Sequence, residues 1–419
     1  MTSSIAGKKI VVVGGSRGLG LGMVEAWRRA CVRRGHATQD SLAFESVPVV
    51  SVVPVDMTRA EPKHWVFVGG YGTTLETFAF EPISGALIST ALTEGVAESP
   101  TFLALDARRM LLFAVSEKGG ADSPEPGRVT SFRVDAATGK LERVNEVWAG
   151  GSNSVTVTLS HSGKYLLTTS SSTAEGRVAV IPVASDGTLS EPSDSQIAGK
   201  NAHGLVQSPN GEFVWVVCRG AELVAQYRLD EGTGKLAGLQ VPSVSLPAPS
   251  GPRHIAAHPI HSVVYALCDW SGEIVTYGYG ADGLLTNPKV LSAFPPGKEP
   301  KAVAGTMTAA EIEVSRDGKR VYASTRTPEC QSIAVLDVDS TGQLRRAANE
   351  EARGLIKGPR HFIMSSDNRY LIVANQDNDT LLAFSVSETT GRLGSLGTNA
   401  TPTRVKMPNA LAFAALYGP

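Results

Sequence analysis

A Gly-x-Leu element recurs seven times along the chain, at Gly85/Leu87, Gly139/Leu141, Gly187/Leu189, Gly234/Leu236, Gly283/Leu285, Gly342/Leu344 and Gly391/Leu393. Successive glycines lie 54, 48, 47, 49, 59 and 49 residues apart. An alternating apolar stretch precedes the element, as in Val129–Val134, Val178–Val183 and Leu381–Val386. Strand, glycine turn and leucine describe a hairpin, because glycine supplies the positive φ such turns require. In six units an earlier polar turn separates two further apolar runs: Asp106–Arg109, His161–Lys164, Pro209–Glu212, Pro259–Ser262, Arg316–Lys319 and Ser366–Arg369. Each unit therefore holds four strands, and a four-stranded repeat of about 50 residues is a propeller blade.

The first unit lacks an opening strand and begins at Trp65–Gly69. The chain ends instead on a lone apolar stretch, Asn409–Leu416, after Met407-Pro408. Giving that stretch to the first unit closes the ring and removes two sheet edges. The expected fold is all-β, a seven-bladed β-propeller over residues 63–419 closed by its C-terminal strand.

Composition suits many short strands. The 419 residues include 43 glycines and 24 prolines, and 19% are charged, below the roughly 25% of ordinary globular chains. Lys+Arg 39 against Asp+Glu 40 leaves a net charge of -1, so no basic field recruits nucleic acid. No apolar run approaches the roughly 18 residues of a membrane-spanning helix, so no membrane partner is expected. The opening MTSSIAGKKIVVVGG has neither the apolar core nor the cleavage site of a signal peptide. Cys31, Cys218, Cys268 and Cys330 show no CxxC or zinc spacing. Neither a disulfide framework nor a metal is expected, and the chain reads as a soluble, reduced, cytoplasmic protein.

Residues 1–62 stand apart from the repeat. Residues 8–22 (KKIVVVGGSRGLGLG) run from an apolar strand through a glycine-rich turn toward a helix at Met23–Arg34, with Gly14, Gly18 and Gly20 in a GxxxGxG pattern. Val49–Thr58 supplies a second apolar strand with Asp56. This βα opening resembles the start of a short-chain dehydrogenase, whose glycines let the backbone approach a pyrophosphate. The resemblance stops there. No tyrosine has a lysine four residues later, and sixty residues cannot build a doubly wound sheet. The expectation is a non-functional fragment and no cofactor.

In a propeller the first strand of each blade lines the channel. Since first and second strands run antiparallel, the start of one and the end of the other share a rim. Thr101/Glu117, His203/Arg219, Arg253/Asp269, Ala310/Arg326 and Arg360/Gln376 are all 16 residues apart. One rim thus collects Glu117, His203, Arg219, Arg253, Asp269, Arg326, Arg360 and Gln376. Glu311 lies one residue beyond this register and needs a bulge or a rim position to join. A histidine, carboxylates and several guanidiniums at one channel mouth suit an anionic ligand. Elsewhere, His161, His258 and His261 fall at the far turns and are expected to face solvent. Cys218 and Cys268 read as small buried packing residues, and Asp122–Gly127 as a loop over the rim. No GxSxG elbow is present.

Ala202–Gly211 (AHGLVQSPNG), Ser250–Pro259 (SGPRHIAAHP), Thr308–Arg326 (TAAEIEVSRDGKRVYASTR) and Gly358–Asp379 (GPRHFIMSSDNRYLIVANQDND) resemble the seven-bladed lactonase family. That family holds propeller-type 6-phosphogluconolactonases and fungal carboxy-muconate lactonising enzymes. The resemblance spans roughly residues 65–416 and implies a metal-independent site at the channel mouth. It puts family residues on His203, Arg253, Glu311 and Arg326, with Asp269 where the family usually has glutamate. Asn201 replaces the first His of a His-x-His, and Ser170-Ser171 replaces an Asn-Tyr. The implied activity is hydrolysis of a small acidic sugar lactone. Glu311 or Asp269 would be the base, Arg253 and Arg326 would hold the substrate anion and oxyanion, and His203 would donate a proton. Glu117, Arg219, Arg360 and Gln376 would contact substrate. Muconate lactonisation, or ligand binding without turnover, are the alternatives.

Overall fold

The computed structural model describes residues 2–5, 8–11, 63–96, 98–117, 125–396 and 402–416. The chain divides into two compact units, Met1–Arg59 and Ala60–Pro419. In the first, Lys8–Val11 forms the expected apolar strand and pairs antiparallel with Thr2–Ile5, a strand the sequence pattern does not mark. Gly14, Gly18, Gly20, the stretch 23–34 and Asp56 lie outside the described residues.

The second unit is a ring of seven antiparallel sheets. The inner strands, from blade one to blade seven, are Pro408–Leu416, Pro100–Asp106, Ser154–Leu159, Ala202–Gln207, Pro252–Ala257, Ala309–Val314 and Pro359–Met364. Each contacts the inner strand of the next blade, and blade seven contacts blade one. Closure comes from the C-terminal strand: Pro408–Leu416 pairs with Lys63–Gly70, setting Phe67 opposite Ala412. Blade seven gains a short extra strand, Thr403–Arg404, beside Thr380–Val386.

The seven repeat glycines all carry positive φ, from 66° at Gly234 to 91° at Gly187. The turn alone would favour glycine, but packing requires it. A Cβ on Gly283 of blade five would sit 2.3 Å from the Phe213 ring of blade four. The Gly283 carbonyl also accepts from Trp215 Nε1 at 3.0 Å. Each hairpin is thereby pressed against its neighbouring blade, which is why glycine recurs at this position in all seven blades.

The second strands are enclosed on both faces, as in Phe213–Cys218 and Val263–Cys268, where every residue is buried. They feed seven apolar layers, each shared by two adjacent blades. Cys218 and Cys268 belong to these layers, and burial pushes the Cys218 thiol up to about 12. No helix among the described residues is long and apolar enough to cross a membrane.

Candidate active site

Six of the inner strands are entered through a residue with positive φ: Ser99 (54°), Asn153 (49°), Asn201 (51°), Gly251 (64°), Gly358 (56°) and Met407 (43°). Asn201 therefore holds a left-handed backbone, which asparagine tolerates better than most residues. The carbonyl at this entry accepts an N–H from the residue just past the second strand or, in blade six, from Arg326 near its end. Glu117 donates to Ser99, Ser171 to Asn153, Arg219 to Asn201, Asp269 to Gly251, Arg326 to Thr308 and Gln376 to Gly358, all at 2.7–3.0 Å. This bond places Glu117, Arg219, Asp269, Arg326 and Gln376 at a common level.

A β-bulge follows in every inner strand. The inserted residue is Thr101, Val155, His203, Arg253, Arg360 or Asn409, and in blade six Ala310-Glu311 together face Ser324. Bulges re-aim side chains and end regular pairing. Here they create two tiers: the inserted residues, and below them Phe102, Thr156, Gly204, His254, Glu311, His361 and Ala410. Glu311 joins through the bulge, but in the lower tier. Gly204 is small of necessity, because a Cβ there would lie 2.5 Å from the Arg253 carbonyl oxygen.

The upper tier is organised by Asp269, whose side chain is fully buried. Arg219 Nη1 lies 3.3 Å from Oδ2, Arg326 Nη2 3.1 Å from Oδ1, and Arg253 Nε 3.8 Å from Oδ2. Arg326 also donates Nε–H to the Ala309 carbonyl at 3.0 Å. Arg360 is covered by Tyr71, with the guanidinium 5.7 Å from the ring centroid. Burial and the charges of Arg360 and Arg326 bring Arg253 down to about 9, against the pull of Asp269 and Glu311.

Glu311 organises the lower tier. Its Oε1 accepts from His254 Nδ1 at 2.7 Å and from the Ile312 N–H at 3.0 Å, while His361 Nε2 stands 3.2 Å from Oε2. Arg253 Nη1 donates to the Ala310 carbonyl at 2.6 Å and lies 3.2 Å from His254 Nε2. A chain Arg253→His254→Glu311 requires the Nδ1–H tautomer of His254. Phe102 reaches both rings edge-on, 5.6 Å from His254 and 5.3 Å from His361. The His203 ring is 5.2 Å from that of His254. Burial raises the Glu311 carboxyl above its ordinary range, opposed by His361 and Arg253. Burial and nearby cations keep His203 and His254 well below the usual imidazole range, and His361 falls to about 4.

The structure thus brings together His203, Arg219, Arg253, Asp269, Glu311 and Arg326, with Arg360 beside them. Glu117 is half-buried at the same end and joins none of these ion pairs among the described residues. Gln376 opens a short 3₁₀ turn, and its buried Oε1 has no partner. His258 corrects an expectation. It is buried rather than solvent-facing: its Nδ1 accepts the N–H groups of Ile260 and His261, and its Nε2 bonds the Gly318 carbonyl of blade six. A histidine that caps its own turn and ties two blades has no free surface. Of Asp122–Gly127, residues 122–124 lie outside the described set. Register reasoning missed His254 and His361, although the duplicated Gly-Pro-Arg-His of blades five and seven signals both. It also missed Phe102 and Asn409. No group of His, Cys, Asp or Glu among the described residues has a metal-holding arrangement.

The family described as lactonase, 7-bladed β-propeller, matches residues 65–413. A 6-phosphogluconolactonase of Bacillus subtilis is 26% identical over 322 residues, 74% of this chain and 85% of the relative. One of Formosa agariphila is 24% identical over 349 residues, 79% of this chain and 95% of the relative. The structure of a periplasmic gluconolactonase of Pseudomonas aeruginosa superposes with a TM-score of 0.74 at 26% identity. It covers 84% of this chain and 99% of that one.

Proposed function

The chain belongs to the seven-bladed β-propeller lactonases, and from that premise we propose that it opens a small acidic sugar lactone, of the 6-phosphogluconolactone kind, where the bulges line the channel. One observation carries the reading: a buried carboxylate, Glu311, sits between two neutral imidazoles and beside Arg253. The named relatives act on gluconolactones, which agrees with this choice.

Ester hydrolysis needs an activated water, a stabilised tetrahedral oxygen and a proton for the departing alkoxide. Both oxygens of Asp269 are already engaged by guanidiniums, which leaves it to organise the arginines. Glu311 serves as the base: burial favours its acid form, so it can take the proton of an attacking water. The water's oxygen bonds the lactone carbonyl carbon, and Arg253 and Arg326 face the oxyanion. As the ring C–O bond breaks, Glu311 returns the proton to the alkoxide. His203, neutral in these surroundings, suits orienting the water better than donating the proton. Four arginines (Arg219, Arg253, Arg326, Arg360) against Asp269 and Glu311 leave an excess of positive charge for a phosphate or carboxylate.

Purified protein should hydrolyse 6-phosphogluconolactone or glucono-1,5-lactone. Glu311→Gln should lower kcat by about 10²–10⁴. Full activity in that variant would remove Glu311 as the base, and wild-type silence on both lactones would remove the substrate assignment.

A further inference from the structure

Buried side-chain atoms without a hydrogen-bond partner gather at this end of the channel, among them His203 Nδ1, Arg219 Nε, Arg253 Nε, His361 Nδ1, Gln376 Oε1, Thr101 Oγ1, and both amide atoms of Asn409. The charged members have ion-pair neighbours. Asn409 and Thr101 do not, though they are only 2% and 6% exposed. A primary amide can form about four hydrogen bonds, and burying one unmet costs stability that needs an explanation.

Both residues are bulge insertions, of the closing strand of blade one and the first strand of blade two. Their backbones meet closely. Gly69 pairs with Ala410, and a Cβ on Gly69 would lie 2.1 Å from the Pro100 carbonyl oxygen. Thr101 and Asn409 therefore lie near the entries of neighbouring inner strands, and Arg360 is inserted in the inner strand of blade seven on the other side. The inserted side chains of blades one and two are neutral donors and acceptors, with Glu117 of blade two and Arg360 of blade seven beside this arc. Arg219, Arg253 and Arg326 lie across blades four to six.

We propose that Asn409 and Thr101 form a half-site for the hydroxyl groups of a polyhydroxy acid or its lactone, the guanidiniums taking the anionic end. The inference rests on the lactonase reading and adds which residues select the sugar. An amide and a hydroxyl each donate and accept, as vicinal hydroxyls demand, and neither could neutralise an anion. The half-site also needs the C-terminal strand, so ring closure and recognition depend on the same residues.

The test compares glucono-1,5-lactone with δ-valerolactone, the same ring without hydroxyls, using Thr101→Val and Asn409→Leu in the full chain. Expected is a fall of about 10- to 100-fold in kcat/KM for the sugar lactone, the scale of unpaired polar contacts, with δ-valerolactone within about threefold. Tm without ligand should hold or rise, because each variant removes unpaired buried atoms. An equal fall on both lactones, no fall on either, or a lowered Tm would overturn the half-site. If wild type hydrolyses neither lactone, gluconate binding by calorimetry decides instead. Binding that is lost in both variants upholds the half-site while the lactonase reading fails, and binding that is absent in wild type or retained in the variants sinks it.

Discussion

Two buried carboxylates, Asp269 of blade five and Glu311 of blade six, have partners that give them different work. Asp269 is enclosed by Arg219, Arg253 and Arg326. Asp269→Asn leaves two buried guanidiniums, Arg253 and Arg326, and the partly exposed Arg219 without their counter-charge, which should cost about 3–5 kcal/mol and appear as a lower Tm in calorimetry. Glu311→Gln loses activity with little change in Tm, because burial already disfavours its charge. A water-activating Glu311 must be ionised, so the acid limb of kcat/KM should lie above its ordinary value of 4.5. Equal Tm losses in the two variants would mean that both carboxylates are structural. The residues of this pair were legible in the sequence, but their roles were not. Spacing gives a level along the strand, whereas a role depends on which guanidinium reaches which oxygen.

At the scale of an element, the inner strand of blade six carries a second carboxyl, the half-buried Glu313. It accepts the Met364 N–H at 2.9 Å, and burial pushes it up to about 8. In the folded chain it holds a proton that the unfolded chain releases near 4.5. Its contribution to stability is full below about pH 4.5 and is lost as pH rises toward 8. Glu313→Gln keeps the acceptor and cannot ionise. Tm measured from pH 5 to 8 should therefore decline less steeply in the variant than in wild type; parallel curves would exclude Glu313 as the titrating group. The bulges act at this scale too. The spacing of 16 is real pairing, Pro252 opposite Cys268 and Pro359 opposite Asn375. The inserted residue after each proline turns the next position inward as well, and that is how His254 and His361 reach Glu311.

Across the whole molecule, the ring depends on one strand. Pro408–Leu416 buries Ala410, Ala412 and Ala414 against blade two and Leu411 against blade seven. Deleting residues 407–419 exposes the pairing edge of Lys63–Gly70 and opens both layers. The shortened chain should aggregate or melt without cooperativity. A sharp melt at the wild-type temperature would show that closure lies elsewhere. The same deletion removes Asn409, so any soluble remnant should also lose discrimination between sugar and plain lactones.

The sequence by itself determined the blade count, the four-strand unit, the C-terminal closure and the rim register. Each of these is local or periodic: a glycine at positive φ, an alternating strand, a fixed count between paired residues. Only the tertiary structure decided the Arg253–His254–Glu311 chain and the burial of His258. Those contacts join residues from different blades, across 57 positions for His254 and Glu311 and 60 for His258 and Gly318. Their geometry is set by how far the sheets rotate around the ring and where each bulge re-aims the chain, and no repeat in the sequence records either.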